Sequence, residues 1–305
     1  MEGLKKTSFL IVLMLMLVLT ACGNNESSGT SSSEGEKPEE ASETVDKSKE
    51  IKIGYIPWDE DVAVTYLWKY LLEEKGYKVN ATLADVAPVF TGVAQGSIDL
   101  FLDVWMPSTH STYMEDYGKD LEVLGTWYDE ADNGLAVPDY MDIQSIEEVK
   151  DLASDLDSKI VGIEPGAGLM RLSREAMPKY GLDDWTLVES STPAMLAELE
   201  KAVADQKPIV VTLWRPHWAF EAYNLRYLED PQNMMNPNGI EELQSISRKG
   251  FADDYPEVAK WISNFKISLS DLATLESAIK DASDEMAGVE KWVSEHQDVA
   301  DGWVK

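Results

Sequence analysis

Residues 51–104 read IKIGYIPWDEDVAVTYLWKYLLEEKGYKVNATLADVAPVFTGVAQGSIDLFLDV. Apolar and polar residues alternate over 51–56, which predicts a strand, and 62–75 carries an apolar stripe at helical spacing. That stripe consists of Val64, Leu67, Trp68, Leu71 and Leu72. Two further strands and the helix between them are predicted at 77–83, 98–104 and 86–95. This βαβαβ alternation favours the α/β class, with a parallel sheet covered by helices.

A second unit of the same kind follows further along the chain. Strands are predicted at 159–163, 186–189 and 208–213. Helices are predicted at 169–177, from the Thr192 cap with Pro193 in the first turn, and twice within 270–293. The sequence therefore predicts two α/β lobes, with helices closing the chain.

The charge of the chain excludes several classes of protein. Lys plus Arg number 26 against 56 Asp plus Glu, a net charge of −30, so the general field repels nucleic acids and anionic lipid surfaces. One Cys and three His, with no HExxH spacing, leave no cysteine cluster for a metal and make a zinc enzyme improbable. We expect no metal, no cofactor and no nucleic-acid partner.

The N-terminus is predicted to be a targeting segment. Lys5 and Lys6 precede a short apolar run, which ends at Thr20-Ala21-Cys22. This run is too short to span a bilayer, and the pattern resembles the lipobox of bacterial lipoproteins, in which the cysteine is lipidated. We therefore predict a signal peptide at 1–21, a lipid anchor at Cys22 and a flexible polar tether at 22–49. The folded protein would then be held at the outer face of the cell membrane.

Three of the ten tryptophans are predicted to lie just past the carboxyl ends of strands: Trp58, Trp105 and Trp214. Ligands of open α/β sheets bind at this edge. Indole faces attract cations, and a quaternary ammonium group suits them because it has no N–H to donate. The other open interpretation for each tryptophan is simple packing between the lobes. Trp68, Trp261 and Trp292 lie on apolar helical stripes and are assigned to the core.

The segment EPGAGLM, 164–170, predicts an anion site beside these tryptophans. Its glycines lead into a helix whose first backbone N–H groups are unpaired within the helix. The segment lacks the GxxxxGK[ST] pattern of a P-loop, and a merely tight turn is the alternative. His110, five residues after Trp105, is a candidate donor to the same anion, whereas His217 is expected to brace the Trp214 loop. A cation cage beside an anion site predicts that the ligand is a zwitterion.

An enzymatic function is not expected. Ser108 and His110 could belong to a Ser/His/Asp arrangement, but the chain has no GxSxG motif, and 56 acidic residues give no means of choosing a catalytic carboxylate. An extracytoplasmic hydrolase is therefore kept only as an alternative.

Four segments carry a family resemblance: GYIPWDED, LFLDVWMPSTH, VGIEPGAGLM and VTLWRPHWAFEAYNLRYLEDP, at 54–61, 100–110, 161–170 and 211–231. Together they resemble the glycine betaine/proline betaine substrate-binding lipoproteins of bacterial ABC transporters, over residues 50–305. The resemblance implies a two-lobed periplasmic-binding-protein fold of type II-like topology. Its lobes would comprise 50–137 with 245–305, and 138–244, with the ligand cleft between them.

The resemblance also implies roles for the residues singled out above. The tryptophan prism of the family falls on Trp58, Trp105 and Trp214, and the ligand carboxylate on the backbone N–H groups of Gly168 and Leu169 together with His110. A monomeric receptor would close on its ligand and present it to a membrane permease for osmoprotectant uptake. The family pattern often has a small residue where Leu213 stands, so Leu213 and Arg215 leave the choice among betaines open. A choline or carnitine receptor remains the alternative.

Overall fold

The computed structural model describes Lys47 and residues 49–305. The predictions for the signal peptide, for Cys22 and for almost all of the tether fall outside these residues. None of the described helices is both long and apolar enough to cross a membrane.

Nine strands form one continuous sheet within the described part of the chain. They are β1 Glu50–Tyr55, β2 Lys78–Leu83, β3 Leu100–Met106, β4 Leu121–Pro138, β5 Lys159–Val161, β6 Thr186–Val188, β7 Val211–Arg215, β8 Leu225–Tyr227 and β9 Glu241–Arg248. Their order is β2-β1-β3-β9-β4-β7-β5-β6, and β8 pairs with β4.

The helices cover this sheet and close the C-terminal part of the chain. They are α1 Asp59–Glu74, α2 Val86–Ala94, α3 Ser111–Tyr117, α4 Gly168–Ala176, α5 Thr192–Ala204, α6 Ala219–Ala222, α7 Phe251–Asp254, α8 Pro256–Asn264, α9 Leu269–Lys280, α10 Glu285–Glu295 and α11 Gln297–Trp303. Helices α9 and α10 pack against α1, so the C-terminal segment returns to the half of the molecule where the folded chain begins.

The prediction of a parallel sheet is confirmed for two groups of three strands. β1 is parallel to β2 and β3, and β5 is parallel to β6 and β7. Antiparallel strands that the sequence did not predict join these groups: β9 pairs with β3 and β4, and β4 pairs with β7. The result is a mixed α/β fold with two lobes.

Strand β4 passes from one lobe to the other. It pairs with β9 as far as Ala131 and with β7 from Asp132 onward. We call the half containing β1, β2, β3 and β9 the first lobe, and the half containing β5, β6, β7 and β8 the second lobe. The boundaries given above for the lobes, 50–137 with 245–305 and 138–244, stay a prediction.

Two local predictions are wrong. The cap of α5 is Ser191, whose hydroxyl accepts from the Ala194 N–H; Thr192 instead donates to Glu164. Trp105 and Trp214 do not follow their strands but are the penultimate residues of β3 and β7. Both strands run further than their apolar stretches indicate, because tryptophan itself continues the pairing with β9 and β4. Trp68, Trp261 and Trp292 are buried in the core as predicted.

Candidate functional site

A small cavity lies between the lobes. Its lining comprises Trp58, Glu60, Trp105, Thr109, Asn133, Ile163, Ala167, Leu169 and Trp214. The three tryptophans predicted to form a cage therefore meet at one place, together with Leu169 from the predicted anion site. Trp58 precedes α1 and Trp105 is the penultimate residue of β3 in the first lobe, whereas Trp214 lies on β7 in the second.

The three indole rings are almost entirely withdrawn from solvent. Trp58 is 4% exposed, and Trp105 and Trp214 are 3% exposed. The rings of Trp58 and Trp214 have centroids 6.2 Å apart and planes inclined at 56°, so they present two differently directed faces. At this distance and angle the two rings contact each other at a tilt rather than stacking face to face.

Each of these indoles donates its N–H to a buried carboxylate. Trp214 Nε1 lies 2.7 Å from Glu60 Oε2, Trp105 Nε1 lies 3.0 Å from Asp103 Oδ2, and Trp58 Nε1 lies 3.3 Å from Glu164 Oε2. Because an indole N–H is the only polar atom of tryptophan, these bonds fix how each ring is turned. The faces of the rings remain as the available surfaces. Sequence reasoning missed Glu60, Asp103 and Glu164, since nothing distinguishes them among 56 acidic residues.

His110 is buried beside the cage with one ring nitrogen unpaired. Its Nδ1 accepts from the Trp105 backbone N–H at 3.0 Å, which assigns the proton to Nε2. That Nε2 has no hydrogen-bond partner among the described residues. Burial, with a contribution from Arg171, lowers the pKa of His110 to about 3, so the ring stays neutral near pH 7 and Nε2 remains a single N–H donor. The ring stacks on Trp58 with centroids 5.7 Å apart.

The glycine loop meets the first lobe at close range. Helix α4 begins at Gly168, so the N–H groups of Gly168 and Leu169 have no acceptor within the helix. A Cβ added at Gly168 would overlap the Thr109 carbonyl oxygen, and glycine is the residue that permits this approach. The positive end of the α4 dipole lies at these same N–H groups, and this arrangement favours an anion.

Hydrogen bonds between the lobes surround the loop. Arg171 Nη2 donates to the Ser108 carbonyl at 2.8 Å, and Tyr113 Oη donates to the Gly166 carbonyl at 2.9 Å. The bonds from Trp58 to Glu164 and from Trp214 to Glu60 also cross between the lobes. The cluster of Trp58, Trp105 and Trp214 is therefore complete only while the two lobes are in contact.

Hydrogen bonds to β9 and β4 hold the segment that carries Ser108 and His110. Glu241 on β9 accepts from the Ser108 and Thr109 backbone N–H groups at 3.2 and 3.1 Å, and Asn133 Nδ2 donates to Thr109 Oγ1 at 2.8 Å. His110 takes its orientation from the Trp105 amide rather than from a carboxylate, so the arrangement differs from a Ser/His/Asp triad. Among the described residues, no group of three His, Cys, Asp or Glu is placed to hold a metal ion.

Arg215 points away from the cavity. Its guanidinium lies over the rings of Tyr227 and Phe220, 4.1 and 5.0 Å from their centroids, and 3.9 Å from Asp132. It follows Trp214 along the strand, and successive side chains of a strand take opposite faces. His217 contacts the edge of Trp214, with ring centroids 4.9 Å apart, and its Nε2 lies 3.2 Å from Asp59 Oδ2.

Comparison with known proteins decides the family. The model of the substrate-binding domain of ABC-type glycine betaine transport systems matches residues 49–295. The chain belongs to this family. The substrate-binding proteins of ABC importers are extracytoplasmic components of transport systems and not a class of enzymes.

Three proteins illustrate what this family member is similar to. Lactococcal OpuAC, in a closed conformation with glycine betaine, shares 36% identity and a TM-score of 0.78, covering 84% of this chain and 100% of that one. An ABC-transporter choline-binding protein complexed with choline shares 26% identity and a TM-score of 0.77, covering 83% and 91%. The glycine betaine/carnitine transport binding protein GbuC of Listeria monocytogenes is 36% identical over 156 residues, and this match spans only about half of either chain.

These relationships confirm the predicted fold and the predicted general function. Lactococcal OpuAC and the choline-binding protein are two-lobed substrate-binding proteins, and the present chain superposes on both over more than four fifths of its length. The chain is thus a substrate-binding protein of the glycine betaine ABC-transporter family.

Proposed function

We propose that this protein is the receptor of an ABC importer for a quaternary-ammonium zwitterion, glycine betaine or proline betaine, taken up as an osmoprotectant. The observation that carries the proposal is the cavity lined by Trp58, Trp105 and Trp214, whose indole N–H groups are all bonded to carboxylates. A trimethylammonium group contacts indole faces favourably, by about 0.5 to 2 kcal/mol for each face.

The carboxylate end of the ligand would meet three donors. These are His110 Nε2 and the backbone N–H groups of Gly168 and Leu169. His110 Nε2 is a buried donor without a partner among the described residues, and such a group normally costs free energy. A ligand carboxylate would satisfy it, which favours a zwitterion over a simple cation.

Closure of the lobes would be the mechanism of recognition. Trp58, Trp105 and His110 belong to the first lobe, and Trp214, Gly168 and Leu169 to the second, so only a closed molecule offers every contact. Ligand therefore favours the closed state through its differential contacts. The lobe boundaries 50–137 with 245–305, and 138–244, are part of this proposal. The strand pairing places the crossing of β4 at Ala131–Asp132 and the whole of β9 with the first lobe, so the hinge would lie a few residues before each boundary.

The cellular setting is also proposed. Signal cleavage after residue 21 and lipidation of Cys22 would hold a monomeric receptor at the outer face of the membrane on the 22–49 tether. The membrane partner would be the cognate permease, and the tether would keep the local concentration of receptor near it high.

Calorimetric titration of the purified chain with glycine betaine, proline betaine, carnitine and choline, with tryptophan fluorescence in parallel, tests the proposal. We expect heat and a fluorescence change from the two betaines and a weaker response to choline. Absence of binding by both betaines would overturn the proposal.

A choline receptor is the second candidate, because a solved relative holds choline and an acidic residue, Glu60, lines the cavity. Choline has no carboxylate, so the His110 Nε2 donor would stay unpaired. Tighter binding of choline than of either betaine would favour this candidate and leave the cage assignment standing.

A further inference from the structure

Glu60 differs from the other carboxylates that hold the cage. It is fully buried and lines the cavity, whereas Asp103 and Glu164 are not among the lining residues. Glu60 Oε2 accepts from Trp214 Nε1 at 2.7 Å, while Oε1 is buried with no hydrogen-bond partner among the described residues. A carboxylate oxygen of this kind calls for either a proton or a cation.

The surroundings of Glu60 are strongly acidic. Asp103 is fully buried on β3 and has an unpaired Oδ1, and Glu276 on α9 is buried with an unpaired Oε1. Burial, followed by the charges of Asp103 and Glu276, raises the pKa of Glu60 well above its ordinary value. Burial raises the pKa of Asp103 to about 7.

Two further carboxyl groups, those of Asp59 and Asp61, flank Glu60 in the first turn of α1. Asp61, on the same turn of α1, is fully buried; its Oδ2 accepts from the Ile56 N–H at 2.8 Å, and burial and Asp103 raise its pKa. Asp59 lies 3.2 Å from His217 Nε2, and its pKa is lowered because the favourable effects of His217, Trp218 and Lys280 exceed the opposing effect of burial. No cation among the described residues forms an ion pair with Glu60 or Asp103.

We propose that Glu60 is a ligand-binding residue that supplies the counter-charge for the quaternary ammonium group, and that the Glu60–Asp103 pair releases a proton to bulk solvent when the ligand binds. This inference rests on the proposed function, because it assigns a role within the same cavity. In the empty site the proton satisfies the unpaired carboxylate oxygens. In the occupied site the trimethylammonium charge replaces it.

Two consequences distinguish Glu60 from a passive brace for Trp214. 3,3-Dimethylbutanoate is the isostere of glycine betaine with carbon in place of nitrogen, so it has the same shape without the cation. The site should prefer glycine betaine over this isostere by more than the indole faces alone would cause. The affinity for glycine betaine should also rise with pH, because the ionised pair binds the cation more tightly; one released proton gives a slope of up to about tenfold per pH unit. The isostere carries no cation and should show no such rise.

The experiment is calorimetry of the purified full chain with both ligands, from about pH 5.5 to about pH 8.5, in buffers of different ionisation enthalpy. The variants are Glu60→Gln and, as a matched control, Glu164→Gln. In Glu60→Gln the side-chain amide oxygen can still accept from Trp214 Nε1, but the side chain brings no charge to the cavity. Glu164 holds Trp58 in the same way without lining the cavity, and Thr192 N and Oγ1 donate to it at 2.7 and 2.9 Å.

We expect Glu60→Gln to lower the preference for glycine betaine over the isostere by about tenfold and to flatten the pH dependence. Glu164→Gln should weaken both ligands by a similar factor and keep the slope. Retention of the wild-type preference and slope by a folded Glu60→Gln protein would overturn the proposal.

The wild-type chain provides a test that does not depend on any variant. Its binding heats in the different buffers give the number of protons released, and a value of zero near pH 7 refutes proton release even if Glu60→Gln fails to fold. Failure of the wild-type chain to bind either ligand at any pH would instead refute the proposed function, so the two failures are distinguishable.

Discussion

Hydrogen bonds hold Trp58, Trp105 and Trp214 by the edges of their rings, and the proposed function assigns the ring faces to the ligand. Each indole N–H is bonded to a buried carboxyl group, so all three rings are fixed in the closed molecule. Only the Trp105–Asp103 bond lies within one lobe, so Trp105 alone keeps its partner when the lobes separate. Individual substitutions should therefore separate the rings that contact the ligand from those that only support the fold.

Trp105→Ala should weaken glycine betaine binding by about tenfold or more, because it removes one indole face and part of the apolar wall. Trp127→Ala is the control: Trp127 is 1% exposed, and its indole donates to the Leu102 carbonyl away from the cavity. It should lower the melting temperature more than the affinity of the folded protein. Calorimetry combined with thermal unfolding measures both quantities, and equal losses of affinity would contradict the cage.

His110→Ala should separate the two candidate ligands. It removes the Nε2 donor, and a hydrogen bond to a charged group contributes about 1.5 to 3 kcal/mol, so glycine betaine should bind about tenfold to a hundredfold more weakly. Choline, which has no carboxylate, should change by less than about threefold. The measurement is the ratio of the two dissociation constants, and a ratio equal to the wild-type value would remove His110 from the anion site.

At the scale of elements, the parallel strands and the main helices could be predicted from the sequence, and the connecting strands could not. β4 carries Asp129-Glu130 and Asn133-Gly134, residues typical of turns. β9 buries Glu241, Ser245 and Ser247 beside only two apolar side chains, Leu243 and Ile246. Glu241 is stabilised by the Ser108 and Thr109 amides, which are distant in sequence, so hydropathy alone cannot reveal the strand.

The same limit applies to the site. Trp58, Trp105 and Trp214 could be found because large aromatic side chains near the carboxyl ends of predicted strands are conspicuous. Glu60 and Asp103 could not, because their roles depend on which indole they meet after folding. Acidic residues that look alike in the sequence acquire different roles only through their burial and their hydrogen-bond partners in the folded protein.

Helix α4 provides a prediction about closure. Gly168→Ala should weaken ligand binding by about tenfold or more, because its Cβ would overlap the Thr109 carbonyl oxygen and reduce the population of the closed state. The melting temperature of the empty protein should change little, since an open molecule relieves the overlap. Gly166→Ala is the matched control, because its nearest atom would be Tyr113 Oη at 3.7 Å.

Binding titration of the two variants and small-angle scattering with and without glycine betaine test this prediction. The wild-type chain and Gly166→Ala should become more compact with ligand, and Gly168→Ala should not at the same ligand concentration. Wild-type affinity in Gly168→Ala would show that the lobes need not approach as closely as in this structure.

For the whole molecule, the buried acids and the net charge of −30 both lower the stability of the folded protein as pH rises. Burial raises the pKa of Glu60, Asp61, Asp103 and Glu276, so folding favours their protonated forms. The stability that they contribute is present below their ordinary pKa of about 4 and is lost as pH rises through the folded values. For Asp103 that folded value is about 7. Self-repulsion of the acidic surface also grows as carboxyl groups ionise.

The melting temperature of the empty protein should therefore fall by several degrees between about pH 5 and about pH 8. His110 opposes this trend: because its pKa is lowered to about 3, its contribution is present above the ordinary value and lost as pH falls. Because four acids outweigh one histidine, the melting temperature should still fall as pH rises. Calorimetric scans with and without glycine betaine check it, and the ligand should raise the melting temperature more at pH 8, where the bound cation compensates the ionised carboxylates. A melting temperature that rises steadily with pH would mean that the buried acids ionise without cost.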